Sequence, residues 1–267
     1  MFAKKSLGQN FLMHRQTAER IADAAHLSPE DTVLEIGPGT GMLTAPLLAR
    51  AGKVVAVEAD AALAEKLREM FANEIAAEKL KLVEGDVRAF DPSSISGAYA
   101  VVANIPYYIT GEIIRQFLEA LHQPRSMTLL VQKEVAERVA PRRRSGQTRG
   151  EKESLLSISV KTYGTPHYEF TVPRGAFKPA PKVDSAVLSI ADIRNPFRSE
   201  AEKQHFFAVL HAGFAHKRKK LVKNLALAFP DADVSAALRA AKLDPDTRAE
   251  DVPLPAWHAL AKTLLYI

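Results

Sequence analysis

Apolar residues along the chain follow two alternating rhythms. Short unbroken runs at Thr32–Ile36, Lys53–Glu58, Lys79–Glu84, Tyr99–Ala103 and Met127–Val131 predict buried strands. Between them, apolar positions recur at helical spacing. Ala18, Ile21, Ala22 and Ala25 share one face, and Ser28-Pro29 closes that segment. Met42 to Arg50 forms the next helix, with Gly52 as its C-terminal cap. A third runs through Leu63, Leu67 and Met70. A fourth carries Ile113, Ile114, Phe117 and Leu121 behind a Thr110 cap. This alternation predicts an α/β, Rossmann-like fold with a mostly parallel central sheet covered on both faces.

Beyond Val131 the pattern loosens. Arg142 to Gly150 is a basic, glycine-containing loop, and Leu155 to Val160 fits a strand or a helix equally. His167 to Val172 and Asp184 to Ile190 read as two further strands, and Asn195-Pro196 marks a boundary. The expected division is a domain over residues 1–194 and a small all-α domain over 195–267. In the second, Phe206, Leu210, Phe214, Leu221 and Leu225 make one apolar stripe. Val234 to Ala241 follows Asp233, and Pro255 opens a last helix with Trp257, Leu260 and Leu264.

Composition narrows the classes. At 267 residues, 47% hydrophobic and 25% charged, the chain is ordinary for a soluble globular protein. No apolar run is long enough to span a bilayer, and the first residues lack the apolar core of a secretory signal. The absence of cysteine excludes disulfides, thiolate metal sites and cysteine nucleophiles, and fits the cytoplasm. A net charge of +5 points mildly to a polyanionic partner.

The candidate chemistry sits at strand ends. Gly37-Pro-Gly-Thr-Gly41 is a strand-to-helix turn whose glycines, Gly37 and Gly39 included, let backbone approach a ligand. Glu58, ending the second strand, is placed to accept both hydroxyls of a ribose. Asp86, after the third, is placed to accept from an adenine amino group. Asn104-Ile105-Pro106-Tyr107 follows the fourth. An adenine N6 is a poor nucleophile because its lone pair is delocalised into the ring. The Asn104 oxygen and a carbonyl from Ile105 or Pro106, held rigid by the proline, would accept its hydrogens and localise that pair. Tyr107 offers a face for stacking. This order of motifs is that of S-adenosylmethionine-dependent N-methyltransferases; a nicotinamide dehydrogenase would not need Asp86 or the tetrapeptide.

Ser6-Leu-Gly-Gln-Asn-Phe-Leu12, Leu34-Glu-Ile-Gly-Pro-Gly-Thr-Gly41, Val102-Ala-Asn-Ile-Pro-Tyr-Tyr108, Gln132-Lys-Glu-Val-Ala-Glu-Arg138 and Phe177-Lys-Pro-Ala-Pro-Lys-Val-Asp-Ser185 occur in order. With them the chain resembles, over almost its full length, the ribosomal RNA adenine N6,N6-dimethyltransferase family of the KsgA/RsmA type. The resemblance implies a class I methyltransferase domain, S-adenosylmethionine as methyl donor and no metal. It implies that Asn10 and Leu12 lie against the cofactor with Gly37, Glu58, Asp86 and Asn104, and that Phe177 closes over the base opposite Tyr107. It implies dimethylation of two adjacent adenosines in a hairpin loop near the 3′ end of small-subunit rRNA. It favours helix for Leu155 to Val160. In place of the family's Tyr-Gly-Arg-Leu-like stretch, this chain has Glu151-Lys-Glu-Ser-Leu155.

Two basic clusters are candidates for RNA phosphates. One is Arg142, Arg143 and Arg144; the other, expected on a helix, is the run Lys217, Arg218, Lys219 and Lys220 with Lys223. The expected partner is small-subunit rRNA or its particle, met by a monomer. The alternatives are a large-subunit rRNA adenine methylase of the antibiotic-resistance type and a ribosome-assembly factor without turnover.

Overall fold

A computed structural model describes residues 9–141 and 152–264. The chain forms two compact units: the described parts of Met1–Ala140 with Gly164–Arg194, and of Pro141–Tyr163 with Asn195–Ile267. The stretch up to Tyr163, placed at sequence level in the first domain, clusters with the helices of the second. Its described helix is Leu155–Tyr163, and Ile158 is buried in that unit's core with Phe206, Leu210 and Trp257.

The first unit opens with strand β1 (Phe11–Leu12) and helix α1 (Arg15–Ala24). Strands β2 (Thr32–Ile36), β3 (Lys53–Glu58), β4 (Leu80–Glu84), β5 (Tyr99–Asn104) and β6 (Ser126–Gln132) then alternate with helices. Those helices are α2 (Thr44–Arg50), α3 (Ala61–Met70), α4 (Ala72–Ala76), α5 (Thr110–Glu119) and α6 (Lys133–Val139). After α7 (Leu155–Tyr163) come β7 (Thr165–Val172), β8 (Phe177–Lys178) and β9 (Ser185–Ala191). The seven-stranded sheet runs β4-β3-β2-β5-β6-β9-β7. Its β2 to β6 pairings are parallel, and β9 is antiparallel to both β6 and β7. Val33, Leu34, Val101, Val102, Leu129 and Leu130 are all fully buried, as valine- and leucine-rich parallel strands require.

Three local expectations are corrected. Gly52 is not a left-handed cap: Ala51 ends α2 in an extended conformation. Glycine is needed because a Cβ at Gly52 would lie 2.2 Å from the Pro29 carbonyl oxygen. Gly52→Ala is therefore expected to cost about 1–3 kcal/mol of stability, read as a lower urea midpoint. Thr110 is the first residue of α5 and makes no capping bond, because the 3-10 turn Tyr107–Ile109 runs straight into the helix. Leu121 is fully exposed, since α5 stops at Glu119 and Ala120 turns extended.

The second unit adds α8 (Glu200–Phe214), α9 (Leu221–Ala228), α10 (Val234–Ala240) and α11 (Leu254–Leu264). The apolar stripe read as continuous is split between α8 and α9 by a non-helical connection at residues 215–220. That break lets the two helices pack face to face, with Phe206, Leu210, Leu221 and Leu225 all buried in one cluster. Asp233 caps α10 through the Ala236 N–H at 2.8 Å, and Pro255 lies in the first turn of α11. No helix among the described residues is long and apolar enough to cross a membrane.

Candidate active site

Strand register brings the candidate residues to one edge. Ile36 pairs with Val57 on one side and Ala103 on the other, and Glu58 pairs with Glu84. The glycine turn, Glu58, Asp86 and Asn104 thus emerge side by side at the carboxyl ends of four parallel strands. Strand order reverses at β2, where such sheets form their ligand crevice. A cleft opens there, lined by Asn10, Leu12, Gly37, Gly39, Glu58, Asp86, Asn104, Ile105, Pro106 and Tyr107.

The glycine turn has left-handed φ at Gly37 (65°), Gly39 (59°) and Gly41 (78°). At Gly39 space is also short: a Cβ would sit 3.2 Å from the Phe11 ring. The Gly39 N–H donates to Glu58 Oε2 at 2.9 Å, and the Asp60 N–H donates to Oε1 at 2.9 Å. Burial raises the Glu58 pKa and the Asp60 carboxylate adds to this, while backbone N–H bonds from Asp60, Gly39 and Ala59 oppose it. The carboxyl group keeps lone-pair capacity for a ligand hydroxyl.

Asp86 is held by Arg88. Its carboxylate accepts from Arg88 Nε at 3.0 and 2.9 Å, and from the Arg88 backbone N–H at 2.9 Å. These bonds lower its pKa and keep it an ionised acceptor. Asn104 is oriented by the arm formed by residues 9–14 ahead of α1: its Nδ2 donates to the Asn10 carbonyl at 3.1 Å. A carbonyl accepts only from the NH2 end of the amide, so Oδ1 remains as the acceptor that Asn104 offers a bound group. The arm itself is fastened by β1–β8 pairing, Leu12 opposite Phe177, and by the Met13 N–H on the Ala176 carbonyl at 2.8 Å.

Phe177 does not line the cleft. Its ring is buried in the same apolar cluster as Leu12, Val172 and Ala176. Arg142, Arg143 and Arg144 lie outside the described residues. Of the second basic cluster, Lys217, Arg218 and Lys219 are exposed on the connection between α8 and α9 rather than on a helix. Lys223 is exposed on α9, and Lys220 is paired with the Asp246 carboxylate, a partner 26 residues away.

One acid was overlooked. Glu35, in β2, is buried at 1% exposure, and neither of its oxygens meets a hydrogen-bond partner. Burial pushes its pKa up to about 8, and the Glu58 carboxylate adds to this. The signal available was a single acid inside the apolar run Thr32–Ile36. The folded-state pKa lies above the ordinary value of 4.5, so the folded chain retains a proton that the unfolded chain releases. Stability from this group is complete below the lower value and declines as pH rises toward the upper one. Glu35→Gln should flatten that decline and unfold at higher urea than the parent at about pH 8, with little difference at about pH 5. Equal pH slopes for parent and variant would refute the buried proton.

The ribosomal RNA adenine dimethylase family model matches residues 2–265. The chain belongs to the ribosomal RNA adenine dimethylase family. Among the relatives of this dimethylase chain is the ribosomal RNA small subunit methyltransferase A of Dehalococcoides mccartyi, 40% identical over 97% of this chain and 87% of that one. The protein of the same name from Moorella thermoacetica is 36% identical over 98% and 92%. Among solved structures, the 23S rRNA methyltransferase ErmE aligns with a TM-score of 0.74 and 30% identity, covering 96% of this chain and 99% of that one. A dimethyladenosine transferase from Plasmodium falciparum aligns with a TM-score of 0.74 at 24% identity over 94% and 95%, which supports the fold.

Proposed function

We propose that this chain transfers methyl groups from S-adenosylmethionine to N6 of two adjacent adenosines in a hairpin loop near the 3′ end of small-subunit rRNA. The product would be N6,N6-dimethyladenosine, formed in the cytoplasm during small-subunit biogenesis by a monomeric enzyme. The observation that carries the reading is Asn104. Its amide nitrogen is occupied by Asn10, so its oxygen is the end available to an amino group beside the Tyr107 ring. Relatives named for the small subunit reach 40% identity, against 30% for the large-subunit methyltransferase, which favours the small-subunit substrate.

The cleft suits the methyl donor. A nucleoside needs close backbone, acceptors for its hydroxyls and amine, and apolar walls; the Gly37–Gly41 turn, Glu58, Asp86, and Val57 with Val87 supply these. Glu58 would hold the ribose hydroxyls and Asp86 the adenine amino group, with Asn10, Leu12, Gly37 and Gly39 against the remainder. When bound, the donor supplies an electrophilic methyl on a sulfonium. The protein's part is placement. Asn104 Oδ1 and a carbonyl of Ile105 or Pro106 accept the two N6 hydrogens and turn the nitrogen lone pair outward. Pro106, at φ −55°, keeps that stretch rigid. Tyr107 stacks on the base, worth about 1–3 kcal/mol. No side chain has to remove a proton before attack, because the amine becomes cationic on methylation and then releases it. In the Phe177 role carried by the family resemblance, the ring leaves its packing beside Leu12 to cover the base. Lys217, Arg218, Lys219, Lys220 and Lys223 would contact RNA phosphates, as would Arg142, Arg143 and Arg144, and so position rather than select the base.

Incubation with radiolabelled S-adenosylmethionine and unmethylated small subunits, followed by digestion to nucleosides, tests the reading. Label in N6,N6-dimethyladenosine supports it, and label confined to large-subunit RNA overturns the substrate assignment.

A further inference from the structure

Tyr107 is held by a residue far away in the chain. Its phenol oxygen lies 2.6 Å from Ser185 Oγ, across 78 residues of sequence. The ring sits in a three-residue 3-10 turn and is only partly buried, so its own segment does little to fix it. Ser185 is the opposite. It is fully buried and opens β9, with backbone pairing to Gln132 of β6 on one side and Val172 of β7 on the other. The loop leading to it is closed by the Arg174 N–H on Asp184 Oδ1 at 3.0 Å and by the Lys133 N–H on the Asp184 carbonyl at 3.0 Å. Burial raises the Tyr107 pKa against the Ser185 bond, so the phenol stays neutral and the contact is between two hydroxyls.

We propose that Ser185 is a positioning residue for methyl transfer, anchoring the Tyr107 ring to the central sheet at the angle at which it meets the target base. The inference rests on the reading of Tyr107 as the stacking face. A ring free to swing would still bind a base but would present its amine to the methyl donor in fewer productive poses, which lowers turnover more than affinity. A serine that only satisfied the core would leave turnover alone.

The test is a double-mutant cycle on methylation of small subunits, with Ser185→Ala, Tyr107→Phe and the combined variant, and Tyr107→Ala as a separate arm. Ser185→Ala and Tyr107→Phe should each lower kcat by about three- to tenfold, with KM for the particle and Kd for S-adenosylmethionine close to the parent. The double variant should be no slower than either single one, because both remove the same bond. Multiplying effects, or parental kcat in both single variants, would overturn the proposal. Tyr107→Phe probes the bond from its less buried side if Ser185→Ala folds poorly. Tyr107→Ala separates the two readings: parental rates there remove the stacking role itself. A slow Tyr107→Ala beside parental Tyr107→Phe and Ser185→Ala leaves the stacking role intact and removes only the anchor.

Discussion

Asn104→Ala lowers methyl transfer by about a hundred- to a thousandfold, the usual effect of deleting one preorganised polar group at a reacting centre. The loss should fall mainly on kcat, because base stacking on Tyr107 and ribose binding at Glu58 do not need the Asn104 oxygen; donor affinity should fall less, through the arm that carries Asn10 and Leu12. The side chain is only partly buried and ends β5, so its removal leaves the strand's buried valines in place and the fold intact. Its amide also ties the arm to the sheet through the Asn10 carbonyl. Asn104→Asp sharpens the result. A carboxylate would keep an acceptor for the amine but face the Asn10 carbonyl with a second oxygen, so it should rescue little. Steady-state rates with calorimetric donor binding read both variants, and near-parental kcat in Asn104→Ala would refute the role given to that oxygen.

Neutralising Lys217, Arg218 and Lys219 together should weaken binding of small-subunit rRNA and reduce the slope of log affinity against log salt by about two to three, roughly 0.7–0.9 per lost phosphate contact. Donor binding should not change. All three side chains are exposed, and they lie between helices where alanine disturbs no apolar packing. Lys220→Ala should do less, since its ammonium already has Asp246 as a partner and would exchange one contact for another. Unchanged affinity and slope in the triple variant would show that this connection does not meet the RNA.

Each motif is legible with its strand end in the sequence for a simple reason. A glycine turn, an acid or an Asn-Ile-Pro-Tyr stretch is covalently next to the apolar run that precedes it, so period and position travel together. The same reading erred where geometry depends on a distant neighbour. Gly52 looked like a cap, yet what demands glycine is the Pro29 carbonyl packed against it. The stripe from Phe206 to Leu225 looked continuous, because a short break between helices barely disturbs the spacing of apolar residues.

Local pattern therefore settles the order of the five parallel strands and the main helices between them, the family motifs, and which side chains could accept from a nucleoside. Tertiary structure decided which of those side chains meet. Strand register lined up Gly37, Glu58, Asp86 and Asn104, burial raised the Glu35 pKa, and contacts across 94 and 78 residues oriented Asn104 and Tyr107. Local periodicity records whether a residue is buried. It carries no information about which distant chain segment lies against it, and orientation and charge state at this cleft are set by those segments.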